Sequence, residues 1–337
     1  MNILIIEYAT ALGIDDPSIS AEGHAMIKGL LKDFKNKNTD YLISKKIQNF
    51  NSSYCNPVEL EEDLMEWINK NISNYDACLV IAPEEDFILY EITYLIEKKG
   101  VCIIGSSSNA VKVCSDKYVM YEALKDHVPI IKTEKVYFND INKYIVFNNK
   151  KKVVKPADGV SCSGVQIINN SKELKKAASM LENNLPYFII QDFVEGTSAS
   201  VSLISNGKEA IPLSLNLQDI ELTGDGINYN GGKVPLNHEL ADEAKEIAKK
   251  AAESINGLKG YVGVDMILGD EVHLVEINSR ITTPYVALRD ILDFNIGDAI
   301  LDSIYGILPS KIQLNGEISF FKQNNTLNFK KLDINQK

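Results

Sequence analysis

The sequence predicts an α/β and α+β protein, with an open α/β unit at the N-terminus and units of short strands and few helices after it. Three observations carry this reading. Apolar runs alternate with helical periodicities over residues 1–105, the pattern then shifts to shorter strands, and one late strand ends in polar residues spaced two apart. A chain of 337 residues is long enough for two or three domains and a sizeable core.

Taken in order, "NILIIEYA" is an apolar run of the kind that forms a buried parallel strand. "SAEGHAMIKGLLKDF" sets Met26, Ile27, Leu30, Leu31 and Phe34 at helical spacing, with a helix start near Ser20. "DACLVIAPEED" is a second strand, "FILYEITYLIEKKG" a helix ended by Gly100, and "VCIIGSSS" a third strand, which makes 1–105 an open α/β domain. "SDKYVMYEALKDH" predicts a helix with Ser115 as N-cap. "KVYF", "KYIVF" and "KKVVKPADG" are short strands, and "GVQIINNSKELKKAASML" adds a strand and a helix, so that 106–186 forms a small α+β unit. The third unit, 187–312, holds "YFIIQDFVEG", "SASVSLISNG", the amphipathic helix "LADEAKEIAKKAAESI", "GYVGVDMILGDEVHLVEINSR" and the helix "IGDAILDSIYG". Residues 313–337, with the basic "FKKLDINQK", read as a peripheral tail.

The net charge of -11 argues against nonspecific nucleic-acid binding, which needs a basic surface to displace counterions. The five cysteines are odd in number, lack CxxC spacing and mostly sit in apolar runs, as reduced thiols of a cytoplasmic protein do. No stretch approaches the roughly 18 apolar residues of a membrane span. The start "MNILIIEYA" lacks the basic region of a signal peptide. The four histidines are scattered and no G-x-S-x-G elbow occurs, so zinc and serine-hydrolase chemistry find no support.

In "VHLVEINSR", alternation sets Val272, Leu274, Glu276, Asn278 and Arg280 on one face and His273, Val275 and Ile277 on the other. Asp265 interrupts the preceding apolar strand "YVGVDMIL", and Gly269 and Asp270 suggest a hairpin between the two. A two- or four-residue loop would set Asp265 opposite Leu274, diagonal to Glu276 at ~7–8 Å; an odd loop would break this register. Two carboxylates and an amide oxygen can hold Mg2+ or Mn2+, which take hard oxygen ligands and leave positions for phosphate. "VVKPADGVSCSGV" reads either as a plain turn or as a phosphate cradle, in which Lys155 would supply a point charge, Gly159 and Gly164 would let backbone amides approach, and Ser161 and Ser163 would add hydroxyl donors. It is not a Walker A loop, and no G-x-G-x-x-G follows the first strand.

The order of these features resembles the ATP-grasp superfamily of carboxylate–amine ligases over nearly the whole chain. Lys117 opens a helix, Lys155 precedes the small-residue loop, "IIQDFVEG" follows a strand, and Asp265, Glu276, Asn278 and Arg280 close the series. The resemblance implies an ATP-grasp fold with an N-terminal pre-ATP-grasp domain, and two subdomains that clamp ATP. It implies that Lys117 and Lys155 bind phosphates, that Gln191, Asp192, Phe193 and Val194 form the hinge against adenine, and that Asp265, Glu276 and Asn278 ligate Mg2+ or Mn2+. Arg280 would steady the acyl phosphate and its tetrahedral intermediate. Ser198 stands where many members carry a ribose-binding Glu, which departs from the family pattern.

Within the superfamily, "EYATALG", "AEGHAM", "APEED" and "YNGGKVP" are similar to the tyramine–L-glutamate ligases of methanofuran biosynthesis, which implies L-glutamate and tyramine as substrates. Glu7, Glu22 and Gly23 are candidate substrate contacts, because a helix starting near Ser20 would offer its N-terminus to a carboxylate and an acid there suits an ammonium. An ordinary helix start with an acid in its first turn explains them equally well. Lys233 in "YNGGKVP" belongs either to a substrate or phosphate loop or to a plain turn. Another amine–amino acid ligase and a non-catalytic ATP-binding regulator are the rival readings.

Overall fold

The computed structural model describes residues 1–47, 50, 52–144, 150–159, 164–181, 185–223, 226–323 and 326–332. Strands β1 (Asn2–Glu7), β2 (Asn38–Ser44), β3 (Asn56–Leu60), β4 (Ala77–Ile81) and β5 (Cys102–Ile103) form a parallel sheet in the order β3-β2-β1-β4-β5. The apolar runs are continuous because both faces are covered. Beyond the short α1 (Tyr8–Leu12), α2 (Pro17–Asp33) packs on the face of Ile3, Ile5 and Leu79. On the other face, α3 (Leu64–Asn71) and α4 (Ile88–Lys98) cover Leu4, Ile6 and Val80. The sequence reading missed β2, β3 and α3, and it started α2 near Ser20 rather than at Pro17.

Helices α5 (Ser108–Ser115) and α6 (Lys117–Leu124) lead into a second, antiparallel sheet. Asp116, not Ser115, caps α6: its carboxylate accepts from the amides of Tyr118 (2.9 Å) and Val119 (3.1 Å), while Ser115 closes α5. The second sheet contains β6 (Thr133–Tyr137), β7 (Lys152–Pro156), β8 (Gln166–Ile168) and β9 (Tyr187–Asp192) in the order β6-β9-β7-β8. Helix α7 (Ser171–Ser179) buries Leu174 and Ala177 against one face. The expected boundary at 186/187 is corrected, because β9 lies in the middle of this sheet and not in the following unit. Most of "KYIVF" lies outside the described residues.

The third sheet joins β10 (Thr197–Asn206), β11 (Ala210–Thr223), β12 (Gly226–Val234), β13 (Lys259–Leu268), β14 (Val272–Asn278), β15 (Glu317–Gln323) and β16 (Thr326–Leu332). Their order is β14-β13-β10-β11-β12-β15-β16, with antiparallel neighbours. Helix α8 (Ala241–Ser254) seals one face with Ala248 and Ala251 against Val201 and Val264. The opposite face shares one core with α2, α9 (Tyr285–Leu288) and α10 (Ile296–Ser303). Beside that core, Asp33 on α2 accepts from Arg289 Nη2 (2.6 Å) and from the Tyr285 hydroxyl, tying the first unit to the third.

Residues 313–337 are not simply a peripheral tail: β15 and β16 extend the sheet, because β12 offers an edge that would otherwise leave backbone groups unpaired. "YNGGKVP" is correspondingly not a loop; nearly all of it is strand β12. Gly231 adopts φ +147°, and a Cβ there would sit 2.1 Å from the Phe320 carbonyl oxygen on β15. Only glycine lets the two backbones approach so closely. Gly231→Ala is therefore expected to cost about 2 kcal/mol or more in urea unfolding. An unchanged midpoint would contradict this docking of the hairpin.

Candidate active site

Strands β13 and β14 do form a hairpin, but its loop is the odd one of Gly269, Asp270 and Glu271, with Leu268 opposite Val272. Continued without interruption, that register would set Asp265 against Val275. A one-residue bulge just past the Met266–Leu274 pair shifts it, so that Asp265 pairs directly with Glu276. Two expectations are corrected by this. Asp265 opposes Glu276 rather than Leu274, and Val272 and Leu274 lie in the apolar core with Ile277, on the face opposite Glu276 and Asn278.

The site is polar and partly buried. Asn278 Nδ2 donates to Asp265 Oδ2 (3.1 Å), and Gln218 Nε2 from β11 donates to Asp265 Oδ1 (2.9 Å). Burial, then the neighbouring charge of Glu276, pushes the Asp265 carboxyl up to about 7. Burial also raises Glu276, but the ammonium groups of Lys117 and Lys155 outweigh it and leave Glu276 below the ordinary carboxylate range. Lys117 is the first residue of α6. Its Nζ lies 3.5 Å from Glu276 and donates to the Gly159 carbonyl, where the glycine-rich segment begins. Lys155, on β7, acts on both carboxylates. Gly164 ends the same segment at φ +68°. Ser161 and Ser163 lie outside the described residues.

Gln191 is buried and donates to the Thr133 hydroxyl (2.9 Å), Asp192 pairs with Lys152 (2.6 Å), and Phe193 lies under Lys151. Val194 lies two residues past the end of β9, and Ser198, the second residue of β10, pairs with Ile267.

Arg280 follows β14, where its Nε and Nη2 both donate to Oε2 of Glu84 (3.0 and 2.8 Å) and its Nη1 to the Ile281 carbonyl (3.2 Å). Of the five guanidinium N–H groups, two remain for an anionic partner among the described residues. The sequence reading quoted "APEED" but missed Glu84 as the residue that holds Arg280, and it missed Gln218 entirely. Nothing local marks either residue.

The substrate candidates divide. Glu7 caps α1, accepting from the amides of Ala9 (3.1 Å) and Thr10 (2.8 Å), and is buried beneath Gly23, where a Cβ would meet its carboxylate at 2.5 Å. Both oxygens of Glu7 serve the fold, so the geometry does not support it as a substrate contact. Glu22 lies inside α2 rather than at its N-terminus and accepts from Thr283 and Lys322. Lys233 pairs with Glu317 (2.7 Å) across β12 and β15.

Residues 114–284 match the ATP-grasp domain model and residues 46–111 the pre ATP-grasp 3 domain model. The chain is 40% identical over 294 residues to a tyramine–L-glutamate ligase of Methanocaldococcus fervens, covering 85% of this chain and 89% of that protein. It is 38% identical over 298 residues to the enzyme of the same name from Methanocaldococcus jannaschii, covering 85% and 84%. The chain belongs to the ATP-grasp family. A crystal structure of an ATP-grasp superfamily protein from Archaeoglobus fulgidus superimposes with TM-score 0.77 at 26% identity, over 99% of this chain and 100% of that one.

ATP-grasp ligases use ATP with divalent metals, and the donor set here suits one. Two facing carboxylates and the amide oxygen of Asn278 are hard ligands of the kind such a cation takes. The sign of the resulting pH effect is fixed. Because the fold favours protonated Asp265, its contribution to stability is full below the unfolded value near ~3.9 and is lost as pH rises through about 7. Mg2+ binding the ionised pair is expected to raise the melting temperature more at pH 8.5 than at pH 6, and Asp265→Asn to flatten that difference. Equal metal effects at both pH values in the wild type would contradict the assignment.

Proposed function

We propose that the protein joins L-glutamate, through its γ-carboxylate, to the amine of tyramine with consumption of ATP, as a step in methanofuran biosynthesis. The two relatives named for this reaction support the substrates. The observation that carries the chemistry is the facing pair Asp265 and Glu276 between Lys117, Lys155 and Arg280. The proposed organisation is a pre-ATP-grasp unit, a small subdomain from the α6 region through β9, and a large subdomain built on the third sheet, with ATP between the last two.

In this reading Asp265, Glu276 and Asn278 would hold Mg2+ or Mn2+, which when bound neutralises phosphate oxygens. Lys117 and Lys155 supply positive charge at the phosphates, and the backbone of Gln191 to Val194 meets adenine. Ser198 leaves the ribose without the family's usual carboxylate. A γ-carboxylate oxygen of glutamate attacks the γ-phosphorus, the bond to the bridging oxygen breaks, and ADP leaves. The tyramine nitrogen then attacks the γ-glutamyl phosphate. Phosphate departs, the nitrogen keeps one proton as the amide N–H and gives up the other to solvent, and Arg280 steadies the oxyanion with its two remaining N–H groups.

The test is direct. Incubation with glutamate, tyramine, ATP and Mg2+ should give γ-glutamyltyramine with ADP and phosphate, detected by mass spectrometry. AMP as product would overturn the acyl-phosphate route, and ligation of other amines with none of tyramine would overturn the substrate. Glu276→Gln should retain the fold and lose activity by about 100-fold or more. Lys155→Ala should raise the KM for ATP more than that for glutamate.

A further inference from the structure

Glu22 on α2 and Lys322 on β15 form a mostly buried ion pair beside Arg280 that the ATP and metal chemistry does not use. Lys322 reaches Oε1 of Glu22, while the Thr283 hydroxyl donates to Oε2 and so fixes the plane of the carboxylate. The Lys322 ammonium also lies 5.3 Å from the centre of the Tyr229 ring on β12. These residues come from four separate parts of the chain, and Lys322 reaches the site only because β15 docks on β12 at Gly231 and Gly232. Thr283, three residues after Arg280, ties the pair to the loop that carries the guanidinium.

Glutamate presents two carboxylates, and activation of only the γ-group requires the α-carboxylate to be held away from the transferred phosphate. The α-ammonium and α-carboxylate share one carbon, so a receptor for them needs an anion and a cation side by side. We infer that the Glu22–Lys322 pair is that receptor, with Glu22 taking the α-ammonium and Lys322 the α-carboxylate of the amino-acid substrate. This rests on the proposed function and adds the origin of its choice between the two carboxylates. Without substrate the two charges compensate each other, which limits the cost of burying either one. When the zwitterion inserts, each charge exchanges its partner for another of the same sign, and the γ-carboxylate is left pointing toward Arg280.

The test uses the full chain with Mg2+ and a non-hydrolysable ATP analogue. Calorimetry would compare L-glutamate with 4-aminobutyrate, which lacks the α-carboxylate, and with glutarate, which lacks the α-ammonium. Wild-type protein should prefer glutamate over both by about 100-fold, the usual scale for a buried charge pair. Lys322→Met should erase most of the preference over 4-aminobutyrate by weakening glutamate alone, and Lys322→Arg should restore part of it. Glu22→Gln should do the same against glutarate. Affinity for the ATP analogue should hold in all three variants. If Lys322→Met weakens glutamate and 4-aminobutyrate alike, as loosening the hairpin would, or weakens neither, the receptor is overturned. Wild-type protein that binds glutamate no better than the analogues also overturns it. Selective glutamate binding without tyramine ligation upholds the receptor and overturns the proposed amine.

Discussion

The site depends on two carboxylates facing each other across β13 and β14, and the extra residue at Val275 makes that possible. A three-residue loop would by itself have turned Glu276 and Asn278 toward the α8 core. There, unpaired charge would cost several kcal/mol. The bulge restores the face and leaves Val272, Leu274 and Ile277 buried together. One strand thus serves an apolar core with one half of its length and a charged cleft with the other. Its neighbours follow from this. Gln218 on the third strand along and Lys117 at the start of α6 are drawn to the same two acids.

The cleft is closed from the other side by the N-terminal unit. Glu84, in the turn after β4, accepts two bonds from Arg280, so the guanidinium is oriented by one domain while its backbone belongs to another. The Asp33–Arg289–Tyr285 cluster and the apolar core shared by α2, α9 and α10 keep those units in register. Arg280 is therefore already oriented, and in the proposed mechanism a reacting anion would meet donors that need little reorganisation. The C-terminal hairpin adds the last wall by carrying Lys322 to Glu22.

What was readable in the sequence follows from range. Alternation in the first half of "VHLVEINSR" and the 3.6 period of "SAEGHAMIKGLLKDF" mark a covered face within each segment, so both elements were found, although the bulge turns Ile277 rather than Glu276 to the buried side. The lysines at 117 and 155 were legible because each stands at the end of an element next to a recognisable cap or glycine-rich turn. The strands β2, β3 and β12 were not, since polar residues and glycines interrupt their apolar pattern, whereas β11 was missed although "LSLNLQ" alternates cleanly. Glu7 stayed open in the sequence because an acid after an apolar strand looks alike whether it meets a ligand or, as here, the amides of the next helix turn.

The sequence by itself determined the residue types of the catalytic cleft, their order along the chain and most elements that carry them. Tertiary structure decided how those residues pair. Arg280 meets Glu84 across 196 residues, Glu22 meets Lys322 from the opposite end of the chain, and Asp265 faces Glu276 through a bulge that no alternation pattern announces. Local patterns record which face of a segment is dry. Which charges share that cleft depends on sheet order and register, and those are set by the packing of all three sheets together.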